Sequence, residues 1–536
     1  MNIAPNSGDV GLKQRIEKEE ELPLHDFTGA DADKRDDDRW KPASKTKGRL
    51  SQRDRQSIAL LVALYLLQGI PLGLAFGSVP FILKSKLSYS QVGLFTLASY
   101  PYSLKLFWSP IVDAIYSPTY GRRKSWIVPM QTLVGVTLLL LGTRVESWLE
   151  DAENMLGVLT AAFFSLIFLC ATQDIAVDGW ALTLLSRENL SYASTAQTVG
   201  LTAGYFTSFT VFLALNSPDL ANKYWRDVPG TAGFVSLGRY LTFWGVVYLL
   251  VTAWLVWGKS EDPEPDGKDE TGKGGVVSAY GSMWAVLRLP HIQQLLVVHL
   301  LSKFAFSPNE AATNLKLLER GFAASDLALT ALIDFPFEVM FGYLAARWSQ
   351  GPAPLKPWMY GFIGRLGSAV LAMLVVSGFP SGGVGYGYFL AVMAGHVVTQ
   401  FMSTVQMVSI CAFHTGIADP RIGGTYMTLL NTLSNLGGTW PRFFVLRGID
   451  YFTVASCVVG GVPTAIAHSA TSQLGKDECR EIGGSVVVER DGYYVMSSLC
   501  AVLGALVFFG WTRPTVKLLE RLQKDAWKIG KSGGGD

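Results

Sequence analysis

Charge is scarce in this chain. Asp, Glu, Lys and Arg make up 16% of its 536 residues, and 49% are hydrophobic. Soluble domains carry roughly 25% charge, so this balance excludes a string of water-soluble domains with alternating polar and apolar faces. The five cysteines, at positions 170, 411, 457, 479 and 500, include no C-x-x-C pair and no metal-like spacing, so no zinc or dithiol motif is expected. The first residues lack the basic stretch and short apolar core of a cleavable signal peptide. Insertion is then expected to be directed by the first apolar span itself. A near match to a phosphate-binding loop, Gly267 to Gly272-Lys273, continues with Gly274 instead of Ser or Thr, and no strand precedes it. It reads as linker, which disfavours ATP-driven pumping.

Long apolar runs fill the rest. Twelve stretches of roughly bilayer length lie at approximately 57–80, 91–112, 125–143, 155–180, 192–215, 238–257, 287–308, 325–346, 357–378, 385–412, 422–446 and 493–512. They predict an all-α membrane protein and are called spans 1 to 12 below. Residues 1–55 mix acidic and basic blocks with few apolar side chains and read as a disordered tail. The first half then runs over 56–257, a charged linker rich in Gly over 258–286, the second half over 287–512, and a tail over 513–536. Six spans plus six across a polar linker resembles the major facilitator superfamily, whose substrate sits between the halves near the midplane.

Basic residues set the expected orientation. Lys and Arg cluster before span 1, in the loop after span 2 (Arg122, Arg123, Lys124) and after span 12, whereas the loop after span 3 is acidic. Both termini are therefore expected in the cytosol. The 447–492 loop falls on the other side and holds Cys457 and Cys479, which in an oxidising lumen form a disulfide or remain free thiols. The sequon Asn189-Leu190-Ser191 falls in a cytosolic loop on this topology and is expected to carry no glycan.

Polar residues inside the spans are the functional candidates, because ionisable groups at membrane depth are costly and face protein or a watery path. Asp174 and Asp178, one helical turn apart in span 4, form one acid pair, and Asp334 and Glu338 in span 8 form a second; residues at this spacing share a helix face. Lys105 in span 2 is too deep to be a topology signal and meets either an anionic solute or an internal carboxylate, while Asp174 and Asp178 are its partner, a proton-coupling pair or part of the cytosolic gate. Span 1 presents Gly69, Gly73 and Gly77 on one face for close helix approach, with Gln68 as a polar cavity contact. Lys303 in span 7, and Asn431, Asn435 and Arg442 in span 11, are either interhelical contacts or cavity lining. Tyr102 and Trp180 are aromatic faces beside these positions.

Several strings resemble the acetyl-coenzyme A transporter family of the endoplasmic reticulum. They are LLQGIPLGLA (66–75), SLKLFWSPIVDA (103–114), GRRKSWIVP (121–129), ATQDIAVDGWALTLLSREN (171–189), DPRIGGTYMTLLNTLSNLGGTWP (419–441) and DGYYV (491–495). A shorter Gln-Asp-Ile-x-x-Asp echo is similar to bacterial muropeptide permeases. Asp113 with Gly121-Arg122-Arg123 is similar to the acid and basic cluster that latches the cytosolic gate in the superfamily, at a longer spacing here. The resemblance implies a carrier that moves acetyl-CoA from cytosol into the lumen to support acetylation there. No cofactor, metal or nucleic acid is expected, and the partners are acetyl-CoA as cargo and membrane lipid. The expected contacts with cargo are Gln68, Tyr102, Lys105, Trp180, Lys303, Asn431, Asn435 and Arg442, with Lys105 and Arg442 neutralising its phosphates. Asp113, Arg122, Arg123, Asp174, Asp178, Asp334 and Glu338 are expected to gate or couple, the span 4 acids by pairing with the arginines. Rival readings are a carrier of another bulky anion (a glutathione species or glycopeptide) and a membrane-embedded acetyltransferase. The latter is disfavoured because His299, His396 and His414 lack an acidic partner nearby in sequence.

Overall fold

Helices dominate the computed structural model. It describes residues 51–528 apart from 118, 187–188, 190, 219–220, 223–225, 229, 231, 262–274, 324–325, 328–329, 331–332, 334–336, 338–339, 343, 346, 350–352, 381, 419–422, 469 and 472. Among the described residues, eight helices are long and apolar enough to cross a membrane. They are span 1 (Gln52–Lys84), span 3 (Lys124–Glu150), span 4 (Ala152–Ala181), span 5 (Thr195–Asn216), span 6 (Leu237–Gly258), span 9 (Leu355–Ser377), span 10 (Tyr386–Ile417) and span 12 (Gly492–Arg521). Span 11 is a continuous helix, Gly423–Phe452, with Pro441 inside it.

Spans 2 and 7 are not the continuous helices the sequence predicts. Span 2 runs as Tyr89–Phe95, a 3-10 turn, Tyr100–Leu104, a second 3-10 turn at Lys105–Phe107, and Ser109–Ala114. Span 7 runs as Pro290–Ser302, a 3-10 turn at Phe304–Phe306, and Ser307–Glu319. Pro101, Pro110 and Pro308 each stand in the first turn of a new segment. A proline has no N–H to give to the preceding turn and its ring crowds the carbonyl there, so each marks a restart. Lys105 lies within one break and Lys303 caps the helix before the other. Both cations thus sit where the helix is interrupted.

The glycine face of span 1 lies against span 5. A Cβ on Gly69 would stand 2.9 Å from Gly204 Cα, and one on Gly73 2.6 Å from the Tyr205 carbonyl oxygen. The fit is reciprocal, since a Cβ on Gly204 would overlap the Leu66 carbonyl. Backbone cannot retreat from such an overlap as a flexible side chain can. Gly204→Val is therefore expected to cost about 3 kcal/mol or more and to remove most folded protein, read as monodisperse yield after solubilisation. Gly157→Ala is the matched control, since no atom lies within 4 Å of where its methyl carbon would stand.

The halves touch along spans 2 and 11. Ser90 N–H donates to Asp450 (2.6 Å), Ser103 and Thr439 share a hydrogen bond (2.7 Å), and Tyr100 OH donates to the Trp440 carbonyl (3.4 Å). At the same end, Glu319 accepts from Tyr89 OH (2.9 Å), Lys316 (3.0 Å) and Lys476 (3.2 Å). Lys476 belongs to a small folded insert between spans 11 and 12. Three antiparallel strands, β1 (Val454–Val459), β2 (Val462–Thr464) and β3 (Ser485–Arg490), pair in the order β2-β1-β3. The helix Gln473–Glu481 is tied to β1 by a Cys457–Cys479 disulfide, with Cα atoms 5.7 Å apart. Within the insert, backbone N–H groups of Ala467 and His468 hold the Glu478 carboxyl below the usual carboxylate range.

The C-terminal tail and the loop that carries the sequon are both docked. Trp527, at the end of a 3-10 turn (Lys524–Trp527), is buried against Phe413, and Tyr426 OH donates to its carbonyl (3.1 Å). Asn189 of the sequon is 5% exposed, and its amide donates to Asp54 (2.8 Å) and Ser186 Oγ (3.1 Å).

Candidate functional site

Each half holds one polar centre. In the first, Lys105 reaches from the break in span 2 to both acids of span 4. It pairs with Asp174 and lies 3.6 Å from Asp178. Asp178 also accepts from Tyr65 OH of span 1 (2.7 Å) and from Gln197 of span 5 (2.8 Å). Lys105 Nζ lies 5.2 Å from the centre of the Tyr102 ring. The sequence expectation that Asp174 and Asp178 pair with Arg122 and Arg123 is corrected by this geometry: their cation is Lys105. Sequence spacing puts the acids on one helix face but does not say which neighbour meets that face. Gln68 and Trp180 are also placed differently from expectation. Both are enclosed, at 0% and 1% exposure, and neither offers a surface to a solute in this conformation.

The basic loop after span 2 makes its own pairs. Arg123 binds Asp113 (2.6 Å), and Arg122 Nε donates to the Asp113 carbonyl (3.2 Å). The Arg123 guanidinium lies flat against span 4 at Gly179, where any side chain would overlap it. Glu261, at the start of the linker, accepts from the backbone N–H groups of Arg123 and Lys124 at 3.0 Å. These are the first donors of the span 3 helix, an end that favours a carboxylate. Gly121 has φ of 92° and lies against the Glu261 side chain, a conformation and a closeness that suit glycine.

The second centre is in the C-terminal half and is cationic. Arg365 is neutralised: it pairs with Glu310, donates to Gln406 (2.7 Å) and lies 3.6 Å over the Phe306 ring. Lys303 and Arg442 differ. Lys303 donates to the Ser434 carbonyl (2.9 Å), and Arg442 lies 5.9 Å from the Phe76 ring centre. Among the described residues neither makes an ion pair, and Arg442 Nε is buried with no acceptor. A cavity of about 300 Å³ is lined by Arg442, Asn309, Glu310, Asn314, His396 and Gln400, a volume at the small end of ligand pockets. Asn431 and Asn435 are exposed on the same helix as Arg442. Trp440 stacks parallel to Phe304, rings 6.0 Å apart. His299 and His414 hydrogen-bond each other through Nε2 (2.9 Å), and His396 bonds Asn314 (2.9 Å).

Asp334 and Glu338 lie outside the described residues. Sequence reasoning missed Tyr65, Gln197, Gln406 and Glu261. Tyr65 and Gln197 were visible as polar groups in spans 1 and 5, but nothing in spacing singled them out. Glu261 was hidden in a charged linker where every acid looks alike.

A family model described as acetyl-coenzyme A transporter 1 matches residues 57–271, 264–354 and 351–529. An uncharacterised membrane protein of Saccharomyces cerevisiae is 44% identical over 90% of this chain and 99% of its own length. The anhydromuropeptide permease of Escherichia coli is 27% identical over 30% of this chain and 31% of its own. Among solved structures, a bacterial homologue of the human lysosomal transporter Spinster, in its inward-facing conformation, superposes with a TM-score of 0.56 at 15% identity. That match covers 88% of this chain and 98% of the other and speaks for the fold.

Proposed function

The chain belongs to the acetyl-coenzyme A transporter 1 family, and from that premise we propose that it carries acetyl-CoA from the cytosol into the endoplasmic reticulum lumen. Its major-facilitator architecture makes it a membrane transporter; cargo and direction are the reading added here. The single observation that supports the cargo is a pair of cations in the interior of the bundle, Lys303 and Arg442, that make no ion pair among the described residues. Acetyl-CoA carries about four negative charges, and phosphate oxygens are met by Lys or Arg through charge-assisted hydrogen bonds. Lys105 already has two carboxylates, so the phosphate role read from sequence passes to Lys303 beside Arg442. The exposed Asn431 and Asn435 add hydrogen-bonding groups along the same face. The stacked Trp440 supplies an apolar wall for the adenine or pantetheine portion.

On this reading both termini are cytosolic, and the disulfide insert projects into the lumen. The contacts of span 2 with span 11, and of Tyr89 with Glu319, then close the lumenal end. Asp113, Arg122, Arg123 and Glu261 hold the loop that must move when the cytosolic end closes.

Proteoliposomes containing the purified protein are expected to take up labelled acetyl-CoA saturably. Uptake no faster than in protein-free liposomes sinks the proposal. Competition arms with oxidised glutathione and a muropeptide address the rival cargoes, and inhibition by either at lower concentration than CoA moves the assignment to that class. Recovery of acetylated product without intact acetyl-CoA inside the vesicles would favour an acetyltransferase.

A further inference from the structure

The centre in the N-terminal half holds two carboxylates and one ammonium. Lys105 contacts both Asp174 and Asp178, leaving one negative charge in excess. Asp174 is fully enclosed, and no donor reaches its Oδ1 in hydrogen-bond geometry. A net charge and an unsatisfied carboxylate oxygen are both costly in the interior of a membrane bundle.

Among the described residues the surroundings do not supply the missing charge. Span 1 presents Tyr65 to Asp178, span 5 presents the neutral Gln197, and span 2 presents Tyr102 beside Asp174 as well as Lys105. Span 6 presents Tyr248, which faces Cys170 and bonds the Leu67 carbonyl. Arg123 lies against span 4 at Gly179, one residue beyond Asp178, and it is held by Asp113. Among the described residues no group of three or more His, Cys, Asp or Glu side chains could hold a metal ion, whereas one proton on Asp174 Oδ1 cancels the excess charge and satisfies that oxygen together. A proton is the small cation that fits.

We propose that Asp174 and Asp178 share one transported proton, and that this centre is the coupling site of the carrier whose cargo is read above. The exchange is balanced by itself: a carboxylate oxygen takes H⁺ from one compartment, the centre goes from one net negative charge to none, and the same O–H bond is broken toward the other compartment. Asp178, whose side chain is 40% exposed, is the entry. Asp174 Oδ1 is the site that nothing else satisfies.

The test reads the proton and the cargo separately. Proteoliposomes loaded with a pH-reporting dye are given labelled acetyl-CoA, and protons moved per acetyl-CoA are counted. The wild type is expected to move one. Asp174→Asn and Asp178→Asn each leave a neutral pair with Lys105, so whatever uptake remains should move none. Proton-free uptake by the wild type, or an unchanged ratio in both variants, overturns the proposal. Infrared difference spectra of the detergent-solubilised protein between acidic and neutral pH need no cargo. A protonated-carboxyl band present in the wild type and lost in both variants supports the site even if acetyl-CoA proves to be the wrong solute. A band unchanged in both variants overturns it even where uptake has fallen to background.

Discussion

Lys303→Gln and Arg442→Gln together are expected to raise the apparent KM for acetyl-CoA roughly a hundredfold, and each alone roughly tenfold, because a hydrogen bond to a charged group contributes about 1.5–3 kcal/mol. Both residues lie in the bundle interior, and among the described residues neither has a carboxylate to satisfy it. Removing them should relieve like-charge repulsion and leave folding intact. The measurement is initial uptake against acetyl-CoA concentration in proteoliposomes, with maximal rate and KM fitted separately. Loss confined to KM identifies uniform binding of the cargo. An unchanged KM in the double variant would remove both residues from cargo recognition and with them the main support for an anionic cargo.

Lys105→Met is the opposite case, and its effect should appear in folding before transport. The side chain is 15% exposed and holds two buried or half-buried carboxylates. Taking one partner out of a buried ionic group typically costs about 3–5 kcal/mol, because the charges left behind are uncompensated. Little monodisperse protein is expected, with a clearly lower melting temperature for what remains. Adding Asp174→Asn to Lys105→Met removes one of the stranded charges and should recover much of the loss. A Lys105→Met protein that melts like the wild type, with only its KM raised, would return Lys105 to the cargo site.

These two lysines show what the sequence could reveal. Both stood out as cations in apolar spans, and composition and span length alone pointed to the helical membrane architecture, though the all-α expectation missed the three-stranded insert between spans 11 and 12. The glycine spacing in span 1 likewise announced a close helix contact, and span 5 supplies it. What spacing could not deliver was partnership between spans. Asp174 and Asp178 are four residues apart whatever they meet, and an arginine-rich loop at the same end of span 4 looked as suitable as a lysine in span 2. The prolines at 101, 110 and 308 stand in plain view in the sequence, yet they were not read as helix restarts, and so the interruptions that hold Lys105 and Lys303 went unforeseen. Trp180 shows the converse error, since an aromatic beside an acid pair resembles a stacking platform until packing encloses it.

The hydrogen bonds of Asn189 have a practical consequence for mapping which compartment each loop faces. A glycan needs a free carboxamide on an accessible chain, and this carboxamide is spent on Asp54 and Ser186 in a nearly closed site. An unmodified Asn189 is therefore what either orientation would give. The insert between spans 11 and 12 offers a better reporter. Gly483 has φ of 75°, nothing lies within 4 Å of where its Cβ would be, and Gly484-Ser485 follows. Asparagine tolerates this backbone better than most residues, so Gly483→Asn completes an acceptor sequence at an exposed turn. In cells the variant should gain one glycan's mass, removable by endoglycosidase, if the insert is lumenal. A mobility unchanged by the enzyme would turn the whole carrier around in the membrane.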